Sequence, residues 1–328
     1  MAAQDTIGKW YMSDNAIFAD AFNFLLYDGE PVIKPEELRE ADTTEIALPY
    51  GNNACLTVQK YRDVKKHWAV KRDDEAVYVL LCDELQSRVH YAMPVKDMLY
   101  DAIDYSKQVE DARRSYRKKN DDAGEFSFEN GDLRIRLTSE EFLSGFRNTD
   151  RLIPVITATV YFGPDEWDGP LSLHEMMNVK DKRLLSVIPN YRINLIAPAR
   201  IADANFEKFN TDLGLAMKVL KYQNSEADRL ILDLGGRKVG RSTAEFLNVQ
   251  AKLGLTFEES KQEGEIDMCK AMEMRINSER AEATEKATEN TLLQSIKMMM
   301  KNLHLTLEQA FAALEVPITD QPRLAGLL

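Results

Sequence analysis

A chain of 328 residues with 44% hydrophobic and 29% charged residues has the balance of a folded protein rather than a disordered one, and is longer than one small domain needs. The three cysteines, Cys55, Cys82 and Cys269, are too scattered for a disulfide framework or a zinc site and fit a reducing, cytoplasmic compartment. Net charge is −12, which weighs against nucleic acid, but residues 56–119 carry fourteen bases and eleven acids, so a locally positive surface stays possible.

The N-terminus, with Asp5 and Trp10 ahead of any apolar run, does not read as a signal peptide. Residues 14–28 place Ile17, Phe18, Ala21, Phe22, Leu25 and Leu26 on one helical face, with Asp14 as cap and Gly29 as stop. Residues 30–53 read as loop with one short helix at 35–39. Residues 55–70 predict one or two strands, in which Val64, Trp68 and Val70 share a face, Asp63, Lys65 and His67 share the other, and Lys66 breaks the alternation. After a turn at 71–75, residues 76–82 form a buried strand that runs on through Asp83, Glu84, Leu85 and Gln86.

A long helix is expected from Pro94 to about Lys119, with Met98, Leu99, Ala102, Ile103, Ser106, Val109 and Ala112 recurring at helical spacing. A small hairpin is placed around Asn130 and Gly131, and a capping box at Thr138–Glu141. Residues 152–162 predict a strand buried on both faces, too short to span a bilayer. A turn at 167–170, a helix from about Ser172 and a strand at 191–197 follow. Beyond Ala204 the chain reads as helical, with a long charged helix at 263–303, a second capping box at Thr306–Gln309, and a break at Pro317. The order of elements in the first half predicts an α/β class, a mixed sheet flanked by helices, with a mainly helical C-terminal region.

Strand periodicity sends Glu84 and Gln86 to one side of their strand, and Asp63 lies beside the strand before it. Pairing of those strands would gather an aspartate, a glutamate and an amide at one sheet edge. Two carboxylates with open positions suit Mg²⁺ or Mn²⁺, which activate water and stabilise charge on a phosphoryl group. On spacing alone, Glu84 beside Asp83 is most simply a solvated strand end. His67 shares the face of Asp63 but lies roughly 13 Å along the strand, and nothing brings His174 to the site.

The run from Asp83 through Lys96, followed by Leu99-Tyr100-Asp101 and Tyr105, resembles the Rpn family of recombination-promoting nucleases and putative transposases, within the PD-(D/E)XK superfamily. Phe18-Ala19-Asp20 with Phe22-Asn23, Arg62-Asp63-Val64, the strand at 152–162, Trp167-Asp168-Gly169-Pro170 and Leu173-His174-Glu175-Met176 resemble further family segments. The resemblance implies a restriction-endonuclease-like domain over residues 10–235, a helical region over 236–328, and metal-dependent cutting of DNA. It makes Asp63 and Glu84 metal ligands for Mg²⁺ or Mn²⁺ and places Gln86 in the catalytic set; Asp20 or Asp14 on the first helix could add an outer-shell carboxylate, with Asp20 favoured because it lies in the resembling run of residues 18–23. Local positive charge directs Lys65, Lys66, Arg88 and Lys96 to the nucleic acid. Gln86 stands where many superfamily members carry lysine; it can hydrogen-bond but supplies no charge. Leu85, and the absence of a proline before Asp63, also depart from the pattern.

Lys71 and Arg72 extend the basic surface, whereas Arg113, Arg114, Arg117, Lys118 and Lys119 suit a helix C-terminus at least as well. The C-terminal helices suggest a homo-oligomer contact, and the short pair after Thr306 could also form a DNA-reading helix-turn-helix. Two rival functions remain beside the nuclease: a catalytically inactive nuclease-fold interaction protein, and a DNA-binding module without cleavage.

Overall fold

The structure, a computed structural model, describes residues 2–47, 58–72, 75–122, 137–224, 236–254 and 266–328. Two helices open the chain, α1 (Ala2–Ser13) and α2 (Asn15–Tyr27). Only the second was expected, because α1 is less apolar overall. The Asp14 carboxylate accepts from Ala16 N and Ile17 N, so it caps α2 as its spacing suggests. The exit turn is left-handed at Asp28 and Gly29. A Cβ at Gly29 would stand 2.3 Å from the Lys208 carbonyl oxygen, so the close approach of the two segments requires glycine.

Next come β1 (Leu38–Glu40), β2 (Thr44–Ala47), β3 (Val58–Tyr61), β4 (Val64–Arg72) and β5 (Glu75–Gln86). The expected loop at 30–53 therefore holds a 3-10 turn at Pro35–Glu37 and two short strands. Part of the expected turn at 71–75 lies outside the described residues, as does the hairpin at Asn130 and Gly131. Helix α3 (Met93–Asp122) follows, then α4 (Ser139–Ser144), β6 (Val155–Tyr161), α5 (Lys182–Val187) and β7 (Asn194–Ile196). The helix expected from Ser172 is a single 3-10 turn, His174–Met176, with α5 starting later.

The main sheet runs β1-β4-β5-β6-β7. Its first two pairings are antiparallel and its last two parallel, so it is mixed. Alternation along β5 sends Val79, Leu81 and Leu85 into the main core with α1 and α2, while Leu80 and Cys82 face α3. Strand β6 is buried on both faces, as its unbroken apolar run predicts.

Helix α3 docks differently from its apolar stripe. Leu99 is 40% exposed and Ala102 is exposed, whereas Met93, Asp97, Tyr100, Asp101, Ile103 and Asp104 are buried. The sheet face beneath it carries Arg62, Lys65, Thr157 and Thr159, so a helix face with carboxylates fits where an apolar one would leave those groups unpaired.

Beyond β7 lie α6 (Leu213–Tyr222), β8 (Lys238–Val239), α7 (Arg241–Gln250), β9 (Ile266–Asp267), α8 (Met268–Asn302), α9 (Leu307–Ala313) and α10 (Gln321–Ala325). The two-stranded β8–β9 ladder interrupts the helical run expected after Ala204. Helix α7 packs into the main core: the Phe246 ring stacks on Tyr11 at 4.3 Å and meets Phe162 at 4.9 Å. That core thus continues past residue 235 to Leu253. A separate small core of Ile296, Ala310, Phe311, Val316 and Leu324 joins α8 to α9 and α10. Both capping boxes, Thr138–Glu141 and Thr306–Gln309, are formed. Among the described residues, no helix is long and apolar enough to cross a membrane.

Candidate functional site

Strands β4 and β5 pair with Val64 opposite Asp83 and Lys65 opposite Cys82. The paired register ends at Val64 and Asp83, and Glu84, one residue past Asp83, lies on the sheet face covered by α3. The half-buried Asp63 sits in the bend before β4, and its Oδ2 accepts the Leu85 N–H at 3.0 Å. Asp83 takes the opposite face. It is fully buried, and neither carboxylate oxygen has a hydrogen-bonding partner among the described residues. Burial pushes its carboxyl well above the usual range, with Glu84 and Asp63 adding to the effect.

Glu84 is 1% exposed. Its Oε2 lies 2.8 Å from Lys96 Nζ, and its Oε1 lies 3.9 Å from Arg62 Nη1 without a hydrogen bond. Burial raises the Glu84 carboxyl to about 8; Lys96 pulls against that rise, while Asp63 and Asp97 add to it. Lys96 sits in the first turn of α3, with its side chain 26% exposed. Burial would lower its pKa, but Glu84 outweighs burial and holds the ammonium above its ordinary value. Gln86 is half-buried and shares the Glu84 side of the strand.

Below these residues lies a charged layer. Arg62 Nη2 reaches Asp101 Oδ1 at 2.8 Å and Asp104 Oδ2 at 3.1 Å, and Arg62 Nη1 donates to Thr157 Oγ1 at 2.8 Å. Tyr191 donates to Asp101 Oδ2 at 2.6 Å. One helical turn nearer Lys96, Asp97 Oδ2 accepts from Thr159, the residue paired with Glu84 across β5 and β6. Asp97 Oδ1 has no hydrogen-bonding partner among the described residues, and burial raises this carboxyl to about 7 against the Thr159 hydroxyl.

Several expected site residues stand elsewhere. Asp20 is a correction: it is 1% exposed and accepts from Asn210 N at 2.9 Å, Thr211 N at 2.9 Å and Thr211 Oγ1 at 2.6 Å. Its carboxylate is spent pinning the turn before α6, on the other side of the sheet. Lys65 and Lys66 are corrected too, since both are buried. Lys65 pairs with Asp104 beneath α3. Lys66 donates to Ser13 O at 2.6 Å, to Asn15 Oδ1, and to Glu40 Oε1 at 2.8 Å. An ammonium saturated by three protein oxygens has nothing left for phosphate. Arg88 is exposed, and Lys96 lies on Glu84 rather than on the outer surface. His67 is exposed opposite Arg39 in β1. His174 contacts the Ile188 carbonyl at 2.8 Å and anchors a loop. The side chains of Lys71, Arg72, Arg117, Lys118 and Lys119 lie outside the described residues.

No family model, curated protein or solved structure matches the chain.

The donor set of Asp63 and Glu84 is hard oxygen, and among the described residues Glu84 Oε1 is a buried acceptor with no hydrogen bond, its nearest cation being Arg62 Nη1 at 3.9 Å. These features fit a Mg²⁺-type ion that keeps most of its positions for water and phosphate. Among the described residues, no group of three or more His, Cys, Asp and Glu side chains is placed to enclose an ion, so an ion here would rest on two carboxylates. Residue reading alone left out Arg62, Asp97, Asp101, Thr157 and Thr159. A signal for the first part existed: Asp97, Asp101 and Asp104 recur at i, i+4 and i+7, one face of a helix.

Proposed function

We propose that this protein is a divalent-metal-dependent DNA endonuclease with a restriction-endonuclease-like core, as its resemblance to the Rpn nucleases implies. The observation that carries the reading is the Glu84 carboxylate: buried, tied by one oxygen to Lys96, and left with the other oxygen without a hydrogen bond among the described residues, 3.9 Å from Arg62 Nη1. An acid kept in that state is costly to stability, and such costs concentrate where a ligand later compensates them.

In this reading Asp63 and Glu84 would hold Mg²⁺ or Mn²⁺, which supplies Lewis-acid charge and an activated water when bound. The Leu85 N–H fixes one Asp63 oxygen. The layer of Arg62, Asp101 and Asp104 props α3 at the distance that brings Lys96 over Glu84. Gln86 would orient water or phosphate by hydrogen bonding alone.

Phosphate contact passes from Lys65 and Lys66 to exposed cations. Arg88 is one. The segment of residues 178–192, which includes α5, supplies Lys180, Lys182, Arg183 and Arg192, four bases against the single acid Asp181, in a chain whose net charge is −12. Its Tyr191 hydroxyl binds Asp101, so the segment stands next to the charged layer under the site.

Supercoiled-plasmid nicking with Mg²⁺ or Mn²⁺ tests the proposal. Wild type should nick, and Asp63→Asn and Glu84→Gln should lose at least about a hundredfold. Equal nicking by all three proteins overturns the assignment. No nicking with any metal, together with retained salt-sensitive duplex binding, would instead support a DNA-binding module on the same fold.

A further inference from the structure

We infer that residues 174–190 form a DNA-bending arm, in which α5 presses Leu184 and Val187 between base pairs from the minor groove while the surrounding bases hold the flanking phosphates. The inference rests on the reading of the protein as a DNA nuclease and adds the form of duplex it takes, one that is kinked or already distorted.

Hydrogen bonds close the arm at its root. Leu173 N donates to the Tyr191 carbonyl at 2.8 Å and Ile193 N to the Leu171 carbonyl at 3.1 Å, while His174 contacts the Ile188 carbonyl at 2.8 Å. The root is set against the end of β5. Leu171, Tyr191 and Ile193 share a small core with Tyr161, the residue paired with Gln86, and with Val89 of the connection from β5 to α3. Beyond the root, none of residues 174–190 is buried.

Leu184 is 52% exposed and Val187 77%, one helical turn apart on α5. Single exposed aliphatics are ordinary, but a pair on one short helix ringed by bases marks a contact surface. Lys180, Lys182, Arg183 and Arg192 are all exposed, and none has an ion pair among the described residues. The nearby acids are occupied: Asp181 caps α5 by accepting the Arg183 N–H, and Glu175 accepts from Leu171 N and Ser172 Oγ.

The fitting partner is anionic outside and apolar within. A membrane surface has that character, but a helix of six residues with two exposed aliphatics, in a stretch from 173 to 190 without an aromatic residue, offers too little to anchor in lipid. In duplex DNA the phosphates flank a stack of apolar base faces. Opening one base step bares those faces to water, and Leu184 and Val187 cover them as the duplex kinks. A duplex with a base already unpaired has part of that unstacking done, so it binds more tightly.

A short duplex, dye-labelled at both ends for energy transfer, tests the arm in Ca²⁺, either perfectly paired or carrying one unpaired base. Wild type should draw the ends together and bind the bulged duplex at least about tenfold more tightly than the perfect one, and Leu184→Ala/Val187→Ala should lose the bend and cut that preference to about twofold or less. Leu184→Met, which keeps a wedge, should retain both. Melting temperatures should match wild type, because both side chains are exposed; if the double variant fails to fold, Leu184→Ser takes its place with the same expectation. Wild type that leaves the duplex straight, a folded double variant that bends it as wild type does, or binding to phosphatidylserine vesicles but not to DNA overturns the inference. Plasmid nicking is read separately with Mn²⁺: nicking without bending defeats the arm alone, and bending without nicking supports the arm and defeats the nuclease reading.

Discussion

Arg62 and Asp101 form a buried ion pair, Nη2 to Oδ1 at 2.8 Å, that joins the start of β4 to the middle of α3. The arginine is fully buried, and its guanidinium also meets Asp104 and Thr157. Removing one partner of such a group strands the others in a low-dielectric site. Arg62→Leu should therefore destabilise the protein by about 3–5 kcal/mol, read as a lower urea midpoint. Arg62→Lys should recover only part of the loss, because an ammonium lacks the planar fork. A leucine variant as stable as wild type would show that the layer does not hold α3 in place.

Asp97 gives stability a pH dependence of defined sign. Its folded pKa is about 7, above the ordinary aspartate value of 3.8, because burial favours the neutral acid. The folded state therefore binds the extra proton, and the stabilisation is complete below about pH 4 and lost as pH rises through about 7. Asp97→Asn keeps an acceptor for Thr159 and has no charge to bury. It should be more stable than wild type by a few kcal/mol at pH 8, with the difference vanishing near pH 4. Thermal melts across that range check it, and a constant difference would remove Asp97 as the cause.

The basic segment around α5 is testable through salt. Lys180, Lys182 and Arg183 are exposed. Changing all three to glutamine should weaken duplex binding and reduce the slope of log affinity against log salt by about 3. An unchanged slope would place the phosphate contacts elsewhere.

Asp20 separates architecture from chemistry. Asp20→Ala leaves the backbone N–H groups of Asn210 and Thr211 without their acceptor, at a cost of about 2–4 kcal/mol. The melting temperature should fall while nicking per folded molecule stays at the wild-type level. A selective loss of nicking by a stable variant would return Asp20 to the site.

The candidate site was half legible before the fold was seen. Glu84 and Gln86 share a face because strand period is two, and the strand that follows Asp63 pairs with theirs because β4 and β5 are consecutive and antiparallel. Lys65 and Lys66 misled because adjacent lysines at a strand start read as a solvated surface. Their burial depends on Asp104, Ser13, Asn15 and Glu40, each supplied by a different part of the chain.

By itself the sequence determined what depends on near neighbours: the Asp14-capped helix, both capping boxes, the buried strands β5 and β6, and the α/β class. Capping and periodicity act within a turn or two, so the local chain is enough. Only the tertiary structure decided the order β1-β4-β5-β6-β7, the polar face by which α3 docks, and the settings of Asp20, Lys66 and Lys96. The physical reason is that a charge has no fixed role of its own. Its cost and its chemistry come from whatever the fold packs against it, and those partners lie from 26 to 191 residues away for Lys66 and Asp20.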